Sequence, residues 1–315
     1  MPPTSDTTLR VFIVNVGQAD TSVIVTPMGR WVVIDAYRPQ KVVNLLSRLG
    51  LHPGGEIECL LVTHPHNDHY LGASRLVKDY RIRQVILAPF WHHTGNPGYH
   101  SVVNAIHDRD IPVRFVSGYE RIPLDANEFP ACSHDVVLEL IGPSNNMLDV
   151  LADAGELTPN HLSIMARLVW KDFAMVYAAD AQMENWAHFD HEGMLKKRCS
   201  VLKAAHHGSC RGTQWERLER LSPECVIVSS DPTAQHHLPD LVGGSVFLKY
   251  SKEHVAALTS STGTVKIEVE TSGSYRVHCF GDDRIKDVDL GQQQGLTLAS
   301  NPTDWPALVT SRLND

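Results

Sequence analysis

Four potential metal ligands fall within six residues in the segment His64-Pro65-His66-Asn67-Asp68-His69. Alternation along an extended turn can direct His64 and His66 toward one ion, while Asp68 and His69 reach another. Imidazole and carboxylate groups suit zinc, manganese or iron, and two neighbouring ions can share a hydroxide that attacks phosphorus or a carbonyl carbon. A lone histidine is more often a core or surface residue, but a buried cluster of this density needs partners. The segment therefore predicts the two-metal centre of a hydrolase.

A buried strand over residues 59–63 leads directly into this cluster, and catalytic groups commonly lie on loops at such strand ends. Short β-branched runs bounded by glycine and proline predict further strands, and apolar residues at helical spacing predict helices over residues 40–50, 71–80 and 101–108. The predicted strands cover residues 10–16, 21–26, 31–35, 84–88, 113–116, 136–141, 163–169, 173–177, 199–204 and 225–229, and residues 265–269 and 275–280 are predicted to form a closing hairpin. Two strand-rich halves with interspersed helices favour layered sheets covered by helices.

Composition bounds the class of protein. The chain has 315 residues, 43% of them hydrophobic, which predicts one large domain over residues 8–284 and a polar C-terminal extension over residues 285–315 that can dock a protein partner. The start carries no basic region followed by an apolar run, and no later stretch is long enough to cross a bilayer, so we expect a cytoplasmic protein that does not enter membranes. Six cysteines without a CxxC pair predict reduced thiols.

The charge balance limits how the chain can bind nucleic acid. A formal net charge of -8 argues against a surface that attracts phosphate everywhere, because phosphate binding draws on clustered lysine and arginine. The best local basic patch is Lys196-Lys197-Arg198, which can equally be a solvated charged face. A second local feature is the aromatic, histidine-rich stretch from Phe90 to His100, which can stack a base, hold a choline-like cation, or simply form a packed surface loop.

Further elements along the chain extend the HxHxDH pattern. Val16-Gly17-Gln18-Ala19-Asp20 comes before the cluster, and Asn160-His161-Leu162-Ser163 and Ala179-Asp180 come after it. The stretch from Lys203 to Ser209 reads KAAHHGS, and His236-His237-Leu238-Pro239 follows it. The order and spacing of these elements, between about residues 10 and 280, are much more specific than the histidine cluster alone.

Together these elements resemble the metallo-β-lactamase superfamily, whose signature is HxHxDH. The likeness is to the branch containing the nuclease-like domain of the competence protein ComEC and the pneumococcal phosphorylcholine esterase. That branch has VGQGD, where this chain has Ala19 in place of the second glycine, and it also has NxxS, GD and KxxHHGS. The resemblance implies an α+β protein with the four-layer αββα sandwich of that superfamily.

The resemblance also implies a ligand set for two divalent ions, either zinc or manganese, with Asp180 bridging them. The implied ligands are His64, His66, Asp68, His69, Asp180 and His206. His207 is the alternative at the last position. Asn160 stands where the common lactamases offer a third histidine, so the first ion has an incomplete protein shell unless His161 fills it.

Other residues receive supporting roles from the resemblance. Gln18 and Asp20 are expected to support the ligands, and Asn160 and Ser163 to fix a loop. Asp68 is expected to orient the nucleophile and Lys203 to contact a phosphate. His236 and His237 are each a further ligand, a substrate contact, or merely exposed loop residues, and His237 is our candidate for a catalytic contact.

The function that the resemblance implies is hydrolysis of a phosphodiester in nucleic acid or a nucleotide, through a hydroxide that bridges the metals. Two alternatives from other classes stay open. The same metals can run an acyl or lactone hydrolase of glyoxalase type. The chain can also be a partner subunit of a multi-protein system, such as a phage-defence system, although a scaffold has no need of so many metal-binding side chains.

Overall fold

The computed structural model describes residues 8–89, 97–125, 136–212, 214–239 and 255–280, and these residues form seventeen strands. The strands are β1 Leu9–Ile13, β2 Ser22–Val25, β3 Trp31–Ile34, β4 Glu56–Ile57, β5 Cys59–Val62, β6 Arg81–Ile82, β7 Val85–Leu87, β8 Val113–Phe115, β9 Gly118–Pro123, β10 Val137–Gly142, β11 Met165–Trp170, β12 Phe173–Tyr177, β13 Val201–Lys203, β14 Cys225–Val228, β15 Val255–Leu258, β16 Thr264–Val269 and β17 Tyr275–Phe280.

The helices of the described residues are short. They are α1 Pro39–Arg48, α2 Asn67–Tyr70, α3 Ala73–Asp79, α4 Pro97–His107, α5 Asn145–Asp153, α6 Met183–His191, α7 Trp215–Leu221 and α8 Thr259–Thr262, with 3-10 turns at Pro159–Leu162, Met194–Lys196 and Ala205–Gly208. In the part of the chain that the structure describes, every helix is too short or too polar to cross a membrane.

Two large sheets organise these strands. The first has eight strands in the order β17-β16-β1-β2-β3-β5-β7-β8, and the second has seven in the order β15-β14-β13-β12-β11-β10-β9. Strands β4 and β6 form a small parallel pair. The predicted closing hairpin is confirmed, because β16 and β17 pair antiparallel with Thr264 opposite Phe280.

Strand alternation explains how the sheets become layered. Along β1, Val11 and Ile13 belong to the apolar core shared by the two sheets, whereas Phe12 belongs to the core under the helices of the first sheet. That second core takes side chains from α1, α3 and α4, and a third core joins the other sheet to α6 and α7. The result is helix, sheet, sheet, helix, which confirms the predicted αββα sandwich. Strands buried on both faces also explain the nearly continuous apolar runs of the sequence.

The loops that carry the candidate metal ligands follow the carboxyl ends of parallel strands. Strands β3, β5 and β7 are parallel in the first sheet, and β12, β13 and β14 are parallel in the second. Asp35 and His64 follow two strands of the first sheet, while Asp180 and the pair His206-His207 follow two strands of the second. Groups from both sheets therefore meet at one edge of the sandwich.

Some predicted features fall outside the described residues. They are the C-terminal extension over residues 285–315, with its suggested protein partner, and residues 90–96 of the aromatic stretch. Both stay predictions.

Candidate metal centre

The histidine cluster turns sharply where β5 ends. His64 is completely buried, and His66 precedes helix α2 in an extended conformation, with φ -95° and ψ 148°. The backbone N–H of His69 then donates to the carbonyl oxygen of His66 over 3.0 Å. This short helical turn brings His69 back against His64, with ring centroids 4.1 Å apart, so that four potential ligands come from one short segment.

Asp180 lies between two groups of imidazoles, one at each carboxylate oxygen. Its Oδ2 faces Nε2 of His64 at 3.6 Å, and that nitrogen is 3.1 Å from Nδ1 of His66. Its Oδ1 faces Nε2 of His69 at 3.3 Å and Nε2 of His207 at 3.8 Å. A carboxylate in this position can bridge two ions.

Two further carboxylates flank the His69 side. Oδ2 of Asp68 lies 3.1 Å from Nε2 of His207 and 3.9 Å from Nε2 of His69, so it faces the same nitrogens as Asp180. Asp20 approaches from behind, with Oδ2 3.8 Å from Nδ1 of His69 and Oδ1 3.9 Å from Nδ1 of His207.

Hydrogen bonds fix which nitrogen of each imidazole carries the proton. Nδ1 of His207 lies 2.8 Å from the carbonyl oxygen of Ser229, which can only accept, so Nδ1 carries a hydrogen and, in the neutral ring, Nε2 has the lone pair. Nδ1 of His69 lies 2.8 Å from Oδ2 of Asp35, so this Nδ1 also carries a hydrogen and the lone pair of the neutral ring is on Nε2.

Asp35 also accepts hydrogen bonds from Thr63, and these determine which nitrogen of His64 carries the proton. Thr63 donates both its backbone N–H and its hydroxyl to Asp35, each over 2.8 Å. Because the hydroxyl hydrogen is used there, the Thr63 oxygen accepts from Nδ1 of His64 at 3.3 Å. The lone pair of the neutral His64 ring is therefore on Nε2, the atom that faces Asp180 and Nδ1 of His66.

The electrostatics of the cluster favour a positive charge at its centre. Burial lowers the pKa of His69, but the carboxylates of Asp180 and Asp35 outweigh burial and raise it well above its ordinary value. Burial likewise raises the pKa of Asp180, yet the charges of His69 and His207 hold it well below the ordinary value. Without an ion, the carboxylates draw protons onto neighbouring imidazoles. A divalent cation would provide the same charge while the imidazoles bind it in neutral form.

Unpaired buried atoms provide an independent test of the fit to metal ions. Nε2 of His69, Oδ1 of Asp180 and Oδ1 of Asp20 are buried and have no hydrogen-bond partner, although the first two face each other. Buried polar atoms are normally paired, and a shared cation resolves such a contact. Asp20, His69, Asp180 and His207 place candidate ligand atoms within 4.8 Å of one another, and so do His64, His66 and Asp180. Nitrogen and carboxylate donors in this mixture suit a dinuclear site.

Lys203, expected to contact a phosphate, has a different neighbour. Its side chain is only 3% exposed, and its ammonium group donates to Oδ2 of Asp20. Asp20 in turn is fixed by its backbone N–H, which donates to the carbonyl oxygen of Asp68 over 3.1 Å. The ammonium therefore balances a buried carboxylate behind the ligands and is not directed to open solvent.

The loop around Asn160 does not bring His161 into the cluster. Nδ1 of His161 accepts from the backbone N–H of Thr158 over 3.0 Å, and its Nε2 lies 3.3 Å from a carboxylate oxygen of Glu184. Oδ1 of Asn160 and the hydroxyl of Ser163 are buried without a hydrogen-bond partner. Besides the His161 side chain, the backbone fixes this loop, where the Ser163 N–H donates to the Asn160 carbonyl oxygen over 3.0 Å.

Three other predicted residues lie at or outside the edge of the site. His236 and His237 are exposed, and Nδ1 of His237 lies 3.1 Å from the carbonyl oxygen of Pro232. Neither belongs to the groups of candidate ligands that the described residues form. Gln18 is partly buried, and its Oε1 atom has no hydrogen-bond partner.

The HHGS turn is held in an unusual backbone conformation. His206 and His207 have φ values of 47° and 52°, followed by Gly208 at 86°. Left-handed backbone is costly for residues with a Cβ and is maintained where the surroundings over-determine it. A Cβ on Gly208 would also lie 2.6 Å from the Cβ of Pro239. The turn makes His206 and His207 point to different parts of the site.

Sequence reasoning gave no role to three residues that orient the cluster: Thr63, Gln182 and Ser229. Thr63 and Ser229 act at strand ends, where no motif marks a polar residue. Gln182 has a weak signal, because Gln182 and Asn185 have the spacing of a capping box before helix α6.

The fold and the site define a four-layer αββα protein with a candidate dinuclear metal centre at one edge of its sheets. The sequence model of the metallo-beta-lactamase superfamily matches residues 14–229, and the chain belongs to that superfamily. Its members are mostly metal-dependent hydrolases, with some oxygenase-like members.

Several solved structures are similar to this chain. A variant of the CmlA beta-hydroxylase is 14% identical, with a TM-score of 0.53 over 84% of this chain and 54% of that chain. CmlA, a diiron beta-hydroxylase from Streptomyces venezuelae, is 12% identical, with a TM-score of 0.48 over 81% of this chain and 53% of that one. Zn(2+)-bound PqqB from Methylobacterium extorquens is 11% identical, with a TM-score of 0.44 over 76% of this chain and 84% of that one. The chain thus spans about half the length of CmlA. A search of curated protein sequences finds no match.

Proposed function

We propose that this protein is a dinuclear metal-dependent phosphodiesterase that acts on a nucleotide or on nucleic acid. The observation that carries the proposal is the position of Asp180, with one oxygen toward His64 at 3.6 Å and the other toward His69 at 3.3 Å. The VGQAD and KAAHHGS elements, which resemble a branch that handles phosphodiesters, support the choice of substrate class over an acyl or lactone substrate.

We assign the ligands of each ion from the imidazole nitrogens and carboxylate oxygens that lie around Asp180. His64, His66 and Oδ2 of Asp180 would hold the first ion, because these donors lie close to one another on that side. For the second ion we assign four ligands: Asp68, His69, Oδ1 of Asp180 and His207. Asp20 stays behind them, because its carboxylate faces the Nδ1 atoms and binds the ammonium group of Lys203.

Two bound zinc or manganese ions would supply Lewis acidity and a nucleophile at neutral pH. The protein's own side chains do the rest. Asp68 is 32% exposed, which places a fixed carboxylate at the open side of the centre where a substrate and water arrive. Asp35 holds the proton on the far side of His69, and Ser229 does so for His207, so both imidazoles keep a fixed orientation during turnover.

The surface favours a small diester or a single-stranded end over long duplex DNA. Within the basic patch found in the sequence, Lys197 binds Glu139 at 3.1 Å and Arg198 binds Glu224 at 3.0 Å. Ion pairs of this kind reduce the charge available for phosphate. With a formal net charge of -8, the protein lacks the overall field that draws long polyanions.

A substrate panel tests the proposal. Purified protein loaded with zinc or with manganese is assayed on bis-p-nitrophenyl phosphate, cyclic nucleotides, and single- and double-stranded oligonucleotides, beside thioesters and lactones. We expect cleavage of phosphodiesters that is lost in Asp180→Asn and retained in Asp153→Asn, an exposed aspartate on α5. Cleavage confined to thioesters or lactones would instead establish the acyl hydrolase alternative.

A further inference from the structure

His206 is, like His66, a partly exposed imidazole of the cluster. Its side chain is 25% exposed, whereas that of His207 is 2% exposed and those of His64 and His69 are completely buried. Nε2 of His206 lies 3.7 Å from Oδ2 of Asp180, on the side of the first ion. A molecule entering the site can therefore reach His206, whereas His64, His69 and His207 are covered.

The amide of Gln182 determines where the proton of His206 lies. Gln182 precedes helix α6 and closes a capping box, in which its side chain accepts from the backbone N–H of Asn185 and its own N–H donates to Oδ1 of Asn185 over 2.9 Å. An amide accepts only through oxygen, so its Nε2 faces the other way. That Nε2 lies 3.3 Å from Nδ1 of His206 and donates to it.

His206 and His207 therefore carry their hydrogens on opposite ring nitrogens. Because Nδ1 of His206 accepts a hydrogen bond, the neutral ring carries its hydrogen on Nε2, the atom that faces the site. In the neutral ring of His207, Nε2 faces the site as a lone pair, since its Nδ1 donates to the carbonyl oxygen of Ser229. Adjacent histidines in one motif thus present a donor and an acceptor to the same space.

We propose that His206 is not a metal ligand but a hydrogen-bond donor to a substrate oxygen beside the first ion, and that Gln182 is the positioning residue that keeps this donor in place. The proposal rests on the phosphodiesterase function for the identity of that oxygen, which belongs to the phosphoryl group. It is consistent with the three protein groups, His64, His66 and Asp180, that would hold the first ion: a substrate would bind that ion beside them, within reach of the His206 N–H.

Metal content separates a donor from a ligand. Zinc per chain is measured after gel filtration for the wild type, His206→Ala, His207→Ala and the control His107→Ala, whose ring is 89% exposed on α4. We expect His206→Ala and His107→Ala to keep the wild-type zinc content and His207→Ala to lose one equivalent. Loss of one equivalent in His206→Ala would overturn the proposal.

Kinetics and spectroscopy test the donor itself. On a phosphodiester, His206→Ala is expected to lower kcat by roughly 100-fold with little change in KM, as removal of one donor to developing charge does elsewhere. His206→Gln, which keeps an N–H, is expected to recover part of this loss. Gln182→Glu replaces the donor by an acceptor, moves the proton to Nδ1 and is expected to lower kcat similarly without loss of zinc.

Long-range proton–nitrogen NMR correlations of the zinc form report the tautomer of His206 directly. We expect Nε2–H in the wild type and Nδ1–H in Gln182→Glu, and Nδ1–H in the wild type would contradict the proposal. If the wild type cleaves no phosphodiester, the proposed function fails. The zinc content and the tautomer still decide whether His206 is a donor.

Discussion

Asp180 is the residue on which both halves of the site depend, because each of its oxygens faces a different group of imidazoles. Asp180→Asn keeps the shape but removes the charge that balances two cations. Since loss of a supporting partner alone commonly costs 10–100-fold, we expect activity to fall by about 100-fold or more, with less than one equivalent of metal retained. Metal analysis and turnover, with Asp153→Asn as the matched control, check this. An active Asp180→Asn protein with a full metal content would exclude a bridging role.

A second residue, Asp35, is completely surrounded by donors: the Thr63 backbone N–H, the Thr63 hydroxyl and Nδ1–H of His69. Asp35→Asn turns one acceptor into a donor and places two donors against each other. We expect metal affinity at the second position to weaken by roughly 10–100-fold. Competition with a coloured chelator measures this change. An unchanged affinity would mean that the orientation of His69 does not depend on Asp35.

How much of the site could be predicted differs from residue to residue. HxHxDH marks its own histidines because four potential ligands are close in sequence, whereas Asp180 was implied only by the resemblance, through the Ala179-Asp180 element. The motif KAAHHGS cannot tell which histidine enters the site, because that depends on left-handed backbone at His206 and His207 and on contacts with Gln182 and Ser229. Those partners are 24 and 22 residues away in the sequence.

At the scale of elements, strands were easier to predict than helices. Strands buried on both faces give runs of β-branched and apolar residues that are visible without an alignment. Helices α6 and α7 bury only narrow stripes; for α7 the stripe is Leu218 and Leu221. Two apolar residues do not establish a period, so neither helix could be predicted. The predicted helix over residues 71–80 begins at Ala73, because residues 67–70 form a separate turn that carries the ligands.

Strand β10 has a glycine that its neighbours require. A Cβ on Gly142 would lie 2.3 Å from the carbonyl oxygen of Val116, which is backbone and cannot move aside. We expect Gly142→Ala to lower the free energy of unfolding by about 3 kcal/mol through overpacking. Gly155→Ala is the control, because its Cβ would meet open space. Only the positive φ of 71° disfavours alanine there, and we expect it to lower the free energy of unfolding by about 1 kcal/mol. Urea unfolding compares the two, and equal losses would argue against the steric explanation.

Between β10 and β11, Glu139 lies directly opposite Arg167 and binds it at 2.8 Å, and Lys197 binds the other carboxylate oxygen. Burial raises the pKa of Glu139, but the hydrogen bonds from Arg167 and Lys197 outweigh it and lower the pKa. A lowered pKa means that the stabilisation is present above the unfolded-state pKa and is lost as the pH falls through the folded-state value.

Glu139→Gln should therefore cost about 2 kcal/mol of stability at neutral pH, because Arg167 is left with no charged partner in a buried position. The difference from the wild type should shrink as the pH falls below the ordinary carboxylate range. Urea unfolding at a series of pH values measures it. A difference that stays constant with pH would mean that the loss is one of shape and not of charge.

At the scale of the whole molecule, the metal centre joins the two sheets. His64 and His69 come from the end of a first-sheet strand, whereas Asp180 and His207 follow strands of the second sheet. An ion held between them links the two halves of the sandwich at one edge. Ligands that bind only the native state stabilise it, by about 4 kcal/mol at a concentration a thousand times the Kd. Chelation should therefore lower Tm, and zinc or manganese should restore it.

The metal centre lies at one edge of the sandwich. Chelation should therefore first reduce the protection of backbone amides from hydrogen exchange near this centre, and only then elsewhere in the molecule. Hydrogen exchange is expected to quicken at the backbone amides of α2 and of the 3-10 turn Ala205–Gly208, which carry ligands from opposite sheets. The hairpin β16–β17, at the far end of the first sheet's strand order, should exchange at the same rate with and without metal. Asp180→Asn should behave like the chelated wild type whether or not metal is added. Equal acceleration in the hairpin and at the site would show instead that metal stabilises the molecule globally and not through a link between the sheets.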